Sequence, residues 1–295
     1  MAEQTILVTG STDGLGKQTA LELARLGADV LVHGRDPSRC EATLHEIRSE
    51  TGNDRLGFYV ADFAELAQVR RLAEEIERDH ERLDVLVNNA GIGAGKRGDA
   101  REESRDGYEL RFAVNYLAPF LLTNLLLPLI RRSAPARIVN VASIGQAPID
   151  FADVMLERGY DGARAYRQSK LAQVMFTFEL AERLRSEREQ GVTVNALHPA
   201  SLMNTKMVYE SYGYTMSSVE DGVEATLRLA VSPELEGVSG RYFNELREDR
   251  ADGQAYDPAA RRRLWQLSEE LVGSPLGHAQ PRLSCETSRE REDWR

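Results

Sequence analysis

Several residue types are scarce in this 295-residue chain, and each scarcity closes off a class of protein. There are two cysteines, Cys40 and Cys285. Two distant thiols make neither a disulfide framework nor a metal-ligand spacing, and free thiols in a reducing compartment account for them. The histidines His33, His45, His80, His198 and His278 are scattered, again without a metal-binding pattern. Positive charge is in deficit: 37 Lys+Arg against 47 Asp+Glu gives a net charge of −10. That balance argues against nucleic acid or an anionic membrane surface as partner. No long unbroken apolar run exists. The best candidate, Tyr116 to Ile130, is interrupted by Pro119, Thr123, Asn124 and Pro128 and reads as a buried helix rather than a membrane span. A strand-like Thr5–Val8 begins almost at once, where a signal peptide would need a longer apolar stretch. The expectation is a cytoplasmic protein without a membrane partner.

What is present is an alternation of short apolar runs with helical patterns, which predicts a parallel sheet covered on both faces. Strands are expected at Thr5–Val8, Asp29–His33, Leu56–Val60, Val85–Asn88, Arg137–Val141, Thr193–Leu197 and Arg241–Phe243. Helices are expected at Leu15–Leu26, from Pro37 to Thr51 behind an Asp36 N-cap, and at Ala64–Arg78. A long helix bent near Pro119 should end at Arg132, and another carrying Tyr166 should end near Arg188. A capping box of Ser217 with Glu220 should open a helix to Ala230, and the last helix should span Pro258–Val272. Two long loops, 144–162 and 199–216, interrupt this order, the first with a short helix expected around Asp153–Arg158. The reading is a single domain over residues 1–275, a doubly wound parallel sheet of about seven strands. The charged, aperiodic residues 276–295 are expected to form a disordered tail.

Two constellations carry chemistry. Between the first strand and first helix lies Thr9-Gly10-Ser11-Thr12-Asp13-Gly14-Leu15-Gly16. Glycines there allow a tight turn and let the backbone approach a pyrophosphate, while the helix start offers free N–H groups and its positive dipole end. A carboxylate closing the second strand would bind a ribose 2′-hydroxyl and favour NAD. This chain has His33-Gly34-Arg35, and Asp36 is engaged as an N-cap. Arg35 suits a 2′-phosphate, so NADP is favoured over NAD. The second constellation is Tyr166 and Lys170, four apart on one helix face. A phenol is a poor acid or base at neutral pH, and an ammonium one turn away favours its ionised form. Lysine is itself rare, at Lys17, Lys96, Lys170 and Lys206, so the pairing is informative.

Together these motifs resemble the short-chain dehydrogenase/reductase family, a Rossmann-like fold, from Thr5 to about Val272. The cofactor loop is similar at Thr9, Gly10, Gly14 and Gly16, and Asn88-Asn89-Ala90-Gly91 resembles the motif that ends the family's fourth strand. Asn115, Ser143, Tyr166 and Lys170 match its catalytic four. Within the family, Val114–Thr123, Tyr166-x-Gln168-Ser169-Lys170-Leu171 and Gln254-Ala255-Tyr256-Asp257 resemble the retinol-dehydrogenase-like branch. The resemblance implies cofactor contacts at Gly10, Ser11, Thr12, Gly14, Leu15, Gly16, Arg35, Asp62, Phe63, Asn88, Ala90, Gly91, Tyr166, Lys170, Pro199 and Thr205. Ala200 departs from the glycine common after that proline. The implied activity is hydride transfer between a nicotinamide and a carbonyl or alcohol. Tyr166 would act as general acid/base, Ser143 would hold the oxygen, and Asn115 would hold a water linking Lys170 to solvent. Phe151, Met155, Tyr160, Met203, Met207, Tyr209, Tyr212, Tyr214 and Met216 are candidates to line an apolar pocket, suggesting an apolar or aromatic ketone or aldehyde. The long Asn115 and Tyr166 helices suit two-fold pairing into a homodimer or homotetramer. The rival class, a dinucleotide-sensing regulator without turnover, predicts a decayed catalytic set, which is not seen. An epimerase or dehydratase of the family's extended branch ranks lower, because its chains are usually longer and its glycine spacing differs.

Overall fold

The computed structural model describes residues 4–96, 98–187 and 191–273, with the backbone alone at 211 and 212. The expected disordered tail at 276–295 lies outside the described residues. Runs rich in branched side chains make the central strands β1 (Thr5–Val8), β2 (Asp29–Gly34), β3 (Leu56–Val60) and β4 (Val85–Asn88), followed by β5 (Ala136–Val141), β6 (Val192–His198), β7 (Tyr242–Asn244) and β8 (Arg247–Glu248). They form one sheet in the order β3-β2-β1-β4-β5-β6-β7-β8, parallel except for β8. The eighth strand exceeds the expected seven. It is a two-residue return after Glu245, whose φ of 55° turns the chain back on β7.

Helices cover both faces, each over its own apolar core. On one side lie α1 (Gly14–Arg25), α2 (Pro37–Thr51) and α8 (Val219–Val231); on the other, α3 (Leu66–Asp79), α5 (Ala118–Arg132), α6 (Gly162–Ser186) and α9 (Pro258–Leu271). Local chemistry sets their ends. Asp36 accepts the amides of Ser38 at 2.9 Å and Arg39 at 3.3 Å, and Gly52 ends α2 at a φ of 68°. The strand order reverses between β1 and β4, which opens a crevice at the strands' carboxyl ends.

The short α4 (Leu110–Phe112) runs through a π turn, Ala113–Leu117, into α5. The irregularity precedes Pro119 rather than centring on it. The α-helical donor to the Asn115 carbonyl would be the N–H of residue 119, which proline lacks. Leu110–Arg132 is long and apolar enough to cross a membrane, so the interrupted run Tyr116 to Ile130 understated its length, and 89% of its apolar window is buried inside the protein.

Three expectations are corrected. The capping box lies one residue later, on Ser218 and Asp221. No helix forms at Asp153–Arg158; the Asp153 carboxylate accepts the Glu157 and Arg158 amides at 2.9 and 3.1 Å and folds the segment into a turn. The loop 199–216 contains a helix, α7 (Lys206–Tyr212), capped by the Thr205 hydroxyl. On the far side of the sheet, Trp265 of α9 packs against Phe120 of α5 and Phe176 of α6, with ring centroids 5.1 and 5.8 Å apart.

Candidate functional site

The crevice is a cleft of about 840 Å³, running from the glycine turn and the end of β2, past the ends of β4 and β5, to α7. Its floor requires glycine. Gly10 has a φ of 64°, and a Cβ there would lie 2.7 Å from the Ala90 Cα. A Cβ on Gly16 would collide with the Asn89 amide and the Gly10 carbonyl. Across the turn, the Thr205 methyl would lie 3.3 Å from a Cβ on Gly14. This is a cradle shaped for close backbone approach to a dinucleotide, so the residues present fit such a cofactor.

The turn is held from behind by residues that do not touch the cleft or only edge it. Asn89 donates from Nδ2 to the carbonyls of Thr9 at 2.8 Å and Gly10 at 3.1 Å. Ser11 is fully buried; its hydroxyl donates to the Val8 carbonyl at 2.7 Å and accepts the His33 amide at 2.9 Å. His33 Nδ1 accepts the Gly10 amide at 3.1 Å, so Nε2 carries the proton and donates to the Ala61 carbonyl at 3.2 Å. Burial holds this imidazole neutral, pushing its pKa down to about 4. Phe63 packs on it, centroids 4.5 Å apart.

At the end of β2, Arg35 is exposed on the cleft wall and makes no hydrogen bond or ion pair with the described residues. Its neighbours are committed. Arg39 pairs with Asp13 at 3.0 Å, Lys17 pairs with Glu46 at 2.6 Å, and Asp36 caps α2.

At the other end, Ser143, Tyr166 and Lys170 meet. A Cβ on Gly145 would sit 3.4 Å from Ser143 Oγ and 3.9 Å from the Tyr166 ring, so both side chains flank one glycine on the cleft wall. Ser143 Oγ accepts the Gly145 amide at 3.0 Å. Lys170 Nζ lies 5.8 Å from the Tyr166 ring centroid and donates to the Val141 carbonyl and to Gln173 Oε1, both at 2.9 Å. Desolvation of the buried ammonium pushes its pKa down to about 7.

Of the sequence-derived candidates, Gly10, Thr12, Gly14, Leu15, Gly16, Arg35, Asp62, Phe63, Ala90, Gly91, Ser143, Tyr166, Lys170, Pro199 and Thr205 line the cleft. Ser11, Asn88 and Asn115 do not. Asn88 Nδ2 is buried against Thr123 at 2.9 Å and Asn140 at 2.8 Å. The Asn115 side chain clamps Ile92, accepting its amide at 2.8 Å and donating to its carbonyl at 3.1 Å, and donates to Ser169 at 2.9 Å. Both N–H groups of that amide are thereby engaged within the protein, and its oxygen accepts one bond. Of the loop residues proposed for an apolar pocket, only Met203 and Met207 line the cleft; the side chain of Tyr212 lies outside the described residues. Tyr209, Tyr214 and Met216 are exposed, Phe151 and Met155 pack on the core, and Tyr160 hydrogen-bonds Arg111. The apolar wall near Tyr166 comes instead from Ile92, Leu110, Val114 and Ile144, which no short-range pattern marks out.

A doubly wound sheet with a glycine-floored crevice at its strand-order reversal defines the class: a dinucleotide-binding α/β protein. The short chain dehydrogenase family model matches residues 4–212. The chain is 41% identical to retinol dehydrogenase 13 of Mus musculus, covering 94% of this chain and 86% of the relative. It is 39% identical to retinol dehydrogenase 14 of Homo sapiens, covering 92% and 87%. A crystal structure from Mycobacterium paratuberculosis superposes with a TM-score of 0.74 at 30% identity, over 92% of this chain and 94% of that one. A short chain dehydrogenase of Escherichia coli CFT073, complexed with NADPH, gives 0.67 at 25% identity, over 84% and 98%. The chain belongs to the short-chain dehydrogenase/reductase family, in its retinol-dehydrogenase-like branch.

Proposed function

We propose that this protein interconverts a carbonyl and an alcohol with Tyr166 as the proton donor and acceptor, and that it prefers NADP. The observation that carries the reading is the flanking of Gly145 by Ser143 and Tyr166, with Lys170 one turn beyond on the same helix. When bound, the nicotinamide supplies or takes the hydride. The chain's own residues manage the oxygen and its proton. Ser143 Oγ already accepts the Gly145 amide, which leaves its O–H to donate to the substrate oxygen. Tyr166 gives its proton to that oxygen in reduction, and the Lys170 ammonium favours the phenolate left behind. Asn115 positions this end of the cleft by clamping Ile92 and Ser169. A water linking Lys170 to solvent would bond the Asn115 main-chain carbonyl, which lacks its α-helical donor because residue 119 is proline.

Arg35 supports the NADP preference, since it is the cation at the ribose end without a protein partner among the described residues. The apolar wall of Ile92, Leu110, Val114, Ile144, Met203 and Met207 supports a sizeable apolar ketone or aldehyde as substrate. The test is NADPH oxidation with a carbonyl panel. Turnover that favours bulky apolar carbonyls and falls at least about a thousandfold in Tyr166→Phe is expected. Dinucleotide binding without turnover of any carbonyl would instead support a sensing role.

A further inference from the structure

Gln173 lies one turn beyond Lys170 on α6, buried behind the cleft wall rather than on it. Its Oε1 accepts from Lys170 Nζ at 2.9 Å, while its Nε2 finds no hydrogen-bond partner among the described residues. The amide orientation is thereby set by the lysine, because a flip would put two donors face to face. A glutamine kept only for packing would satisfy both ends or be replaced by an apolar side chain of similar volume. Here the satisfied end is the one that faces the ammonium.

An ammonium has three N–H donors. Val141 O and Gln173 Oε1 take two of them on the inner side. The third remains for the cleft. The surroundings offer no other help to the charge. From β6, His198 is a neutral imidazole whose own pKa is lowered by burial and by Lys170. From α6 itself comes the Tyr166 ring. From the π turn, the Asn115 Oδ1 accepts the Ile92 amide. Among the described residues no carboxylate pairs with Lys170, and burial is what lowers its pKa.

We propose that Gln173 is a positioning residue: its amide oxygen fixes the Lys170 ammonium in the orientation that leaves one N–H for the cleft, and stabilises its charged form. The proposal rests on the catalytic reading of Tyr166 and Lys170 above, yet its central prediction does not require turnover. With lysine at only four positions, 17, 96, 170 and 206, selective 13C-lysine labelling gives a spectrum simple enough to follow each amine. The Lys170 signal is assigned by its loss in Lys170→Arg.

In the cofactor-free protein, Gln173→Met is expected to move the Lys170 titration about one pH unit lower, since an acceptor of the charged form is gone. Gln173→Glu moves it higher, and Gln173→Asn falls between Met and wild type. In turnover assays the alkaline fall of kcat shifts with the titration, about tenfold lower at pH 8 in Gln173→Met, with the carbonyl KM within about twofold. An unchanged Lys170 titration in Gln173→Met and Gln173→Glu overturns the proposal whatever the activity. If Met fails to fold, Glu and Asn decide by the direction of their shifts. Shifted titrations with no turnover in the wild type would count against the oxidoreductase reading and leave the Gln173 assignment standing.

Discussion

The His33 imidazole accepts the Gly10 amide at 3.1 Å and so ties the first turn of the cleft to the end of β2. Protonation would remove that acceptor. With the pKa held near 4 by burial, against an ordinary 6.5, the unfolded chain binds more protons between these values. Stability is therefore complete above pH 6.5 and is lost as pH falls toward 4, by on the order of 3 kcal/mol for a shift of this size. Denaturant titrations at pH 4.5, 5.5 and 7 should show this slope. In His33→Phe the slope should flatten, and NADPH affinity at pH 7 should drop because the Gly10 amide loses its partner. An unchanged slope in the variant would place the acid sensitivity elsewhere, with His198 as the next buried imidazole.

Arg35 gives the cofactor preference its simplest check. A guanidinium bound to a 2′-phosphate forms charge-assisted hydrogen bonds of about 1.5–3 kcal/mol. Arg35→Ala should therefore raise the NADPH Kd by roughly tenfold to a hundredfold and leave NADH within about twofold. Equal losses for both dinucleotides would show that Arg35 touches a part common to them.

Much of this cleft was legible before the fold was known, and the reasons differ by residue. Gly10, Gly14 and Gly16 declare themselves because backbone geometry demands them at fixed offsets between a strand and a helix. The Asp36 N-cap is equally local, and it is formed as expected. The apolar wall of the cleft is different. Ile92, Leu110, Val114 and Ile144 come from three separate segments, and only the sheet's topology brings them together. From the loop 199–216, Met203 and Met207 line the cleft, whereas Tyr209, Tyr214 and Met216 are exposed, and composition does not tell which way a side chain faces. His33 was read as one of five scattered histidines, since nothing local shows that its ring reaches Gly10. The contacts of Asn115 are hidden for the same reason: its side chain meets Ile92 and Ser169, 23 and 54 positions away.

Trp265 bears on assembly. It packs against Phe120 of α5 and Phe176 of α6, and the Arg183 guanidinium lies 4.0 Å from its ring centroid. A dimer built through this face should not form, and the intact chain is expected to show no association through α5 and α6 in sedimentation velocity. Trp265→Ala should cost about 3–5 kcal/mol in stability. It should also expose an apolar patch, so that sedimentation becomes concentration-dependent. Cross-linking between α5 helices of two wild-type copies would contradict this account.

At Lys170 the proposed activity and the stability of the fold are expected to oppose each other. Burial pushes its pKa down from 10.5 to about 7, whereas in the unfolded chain the amine keeps its ordinary value. Between those values the unfolded state binds more protons, so this group makes stability rise with pH through the window, and below pH 7 the folded protein bears the full cost of a buried charge. Lys170→Met removes the charge and keeps much of the stem's packing. The variant should thus be more stable than wild type at pH 6, with the advantage shrinking toward pH 10, and its turnover should be abolished because Tyr166 loses its neighbouring cation. Urea denaturation of the cofactor-free protein at pH 6, 7.5 and 9 measures the first effect, and NADPH oxidation the second. A variant less stable than wild type at pH 6 would mean that the bonds to Val141 and Gln173 outweigh the desolvation of the ammonium. In that event the amine is a structural tie, and its charge is not held at the expense of the fold.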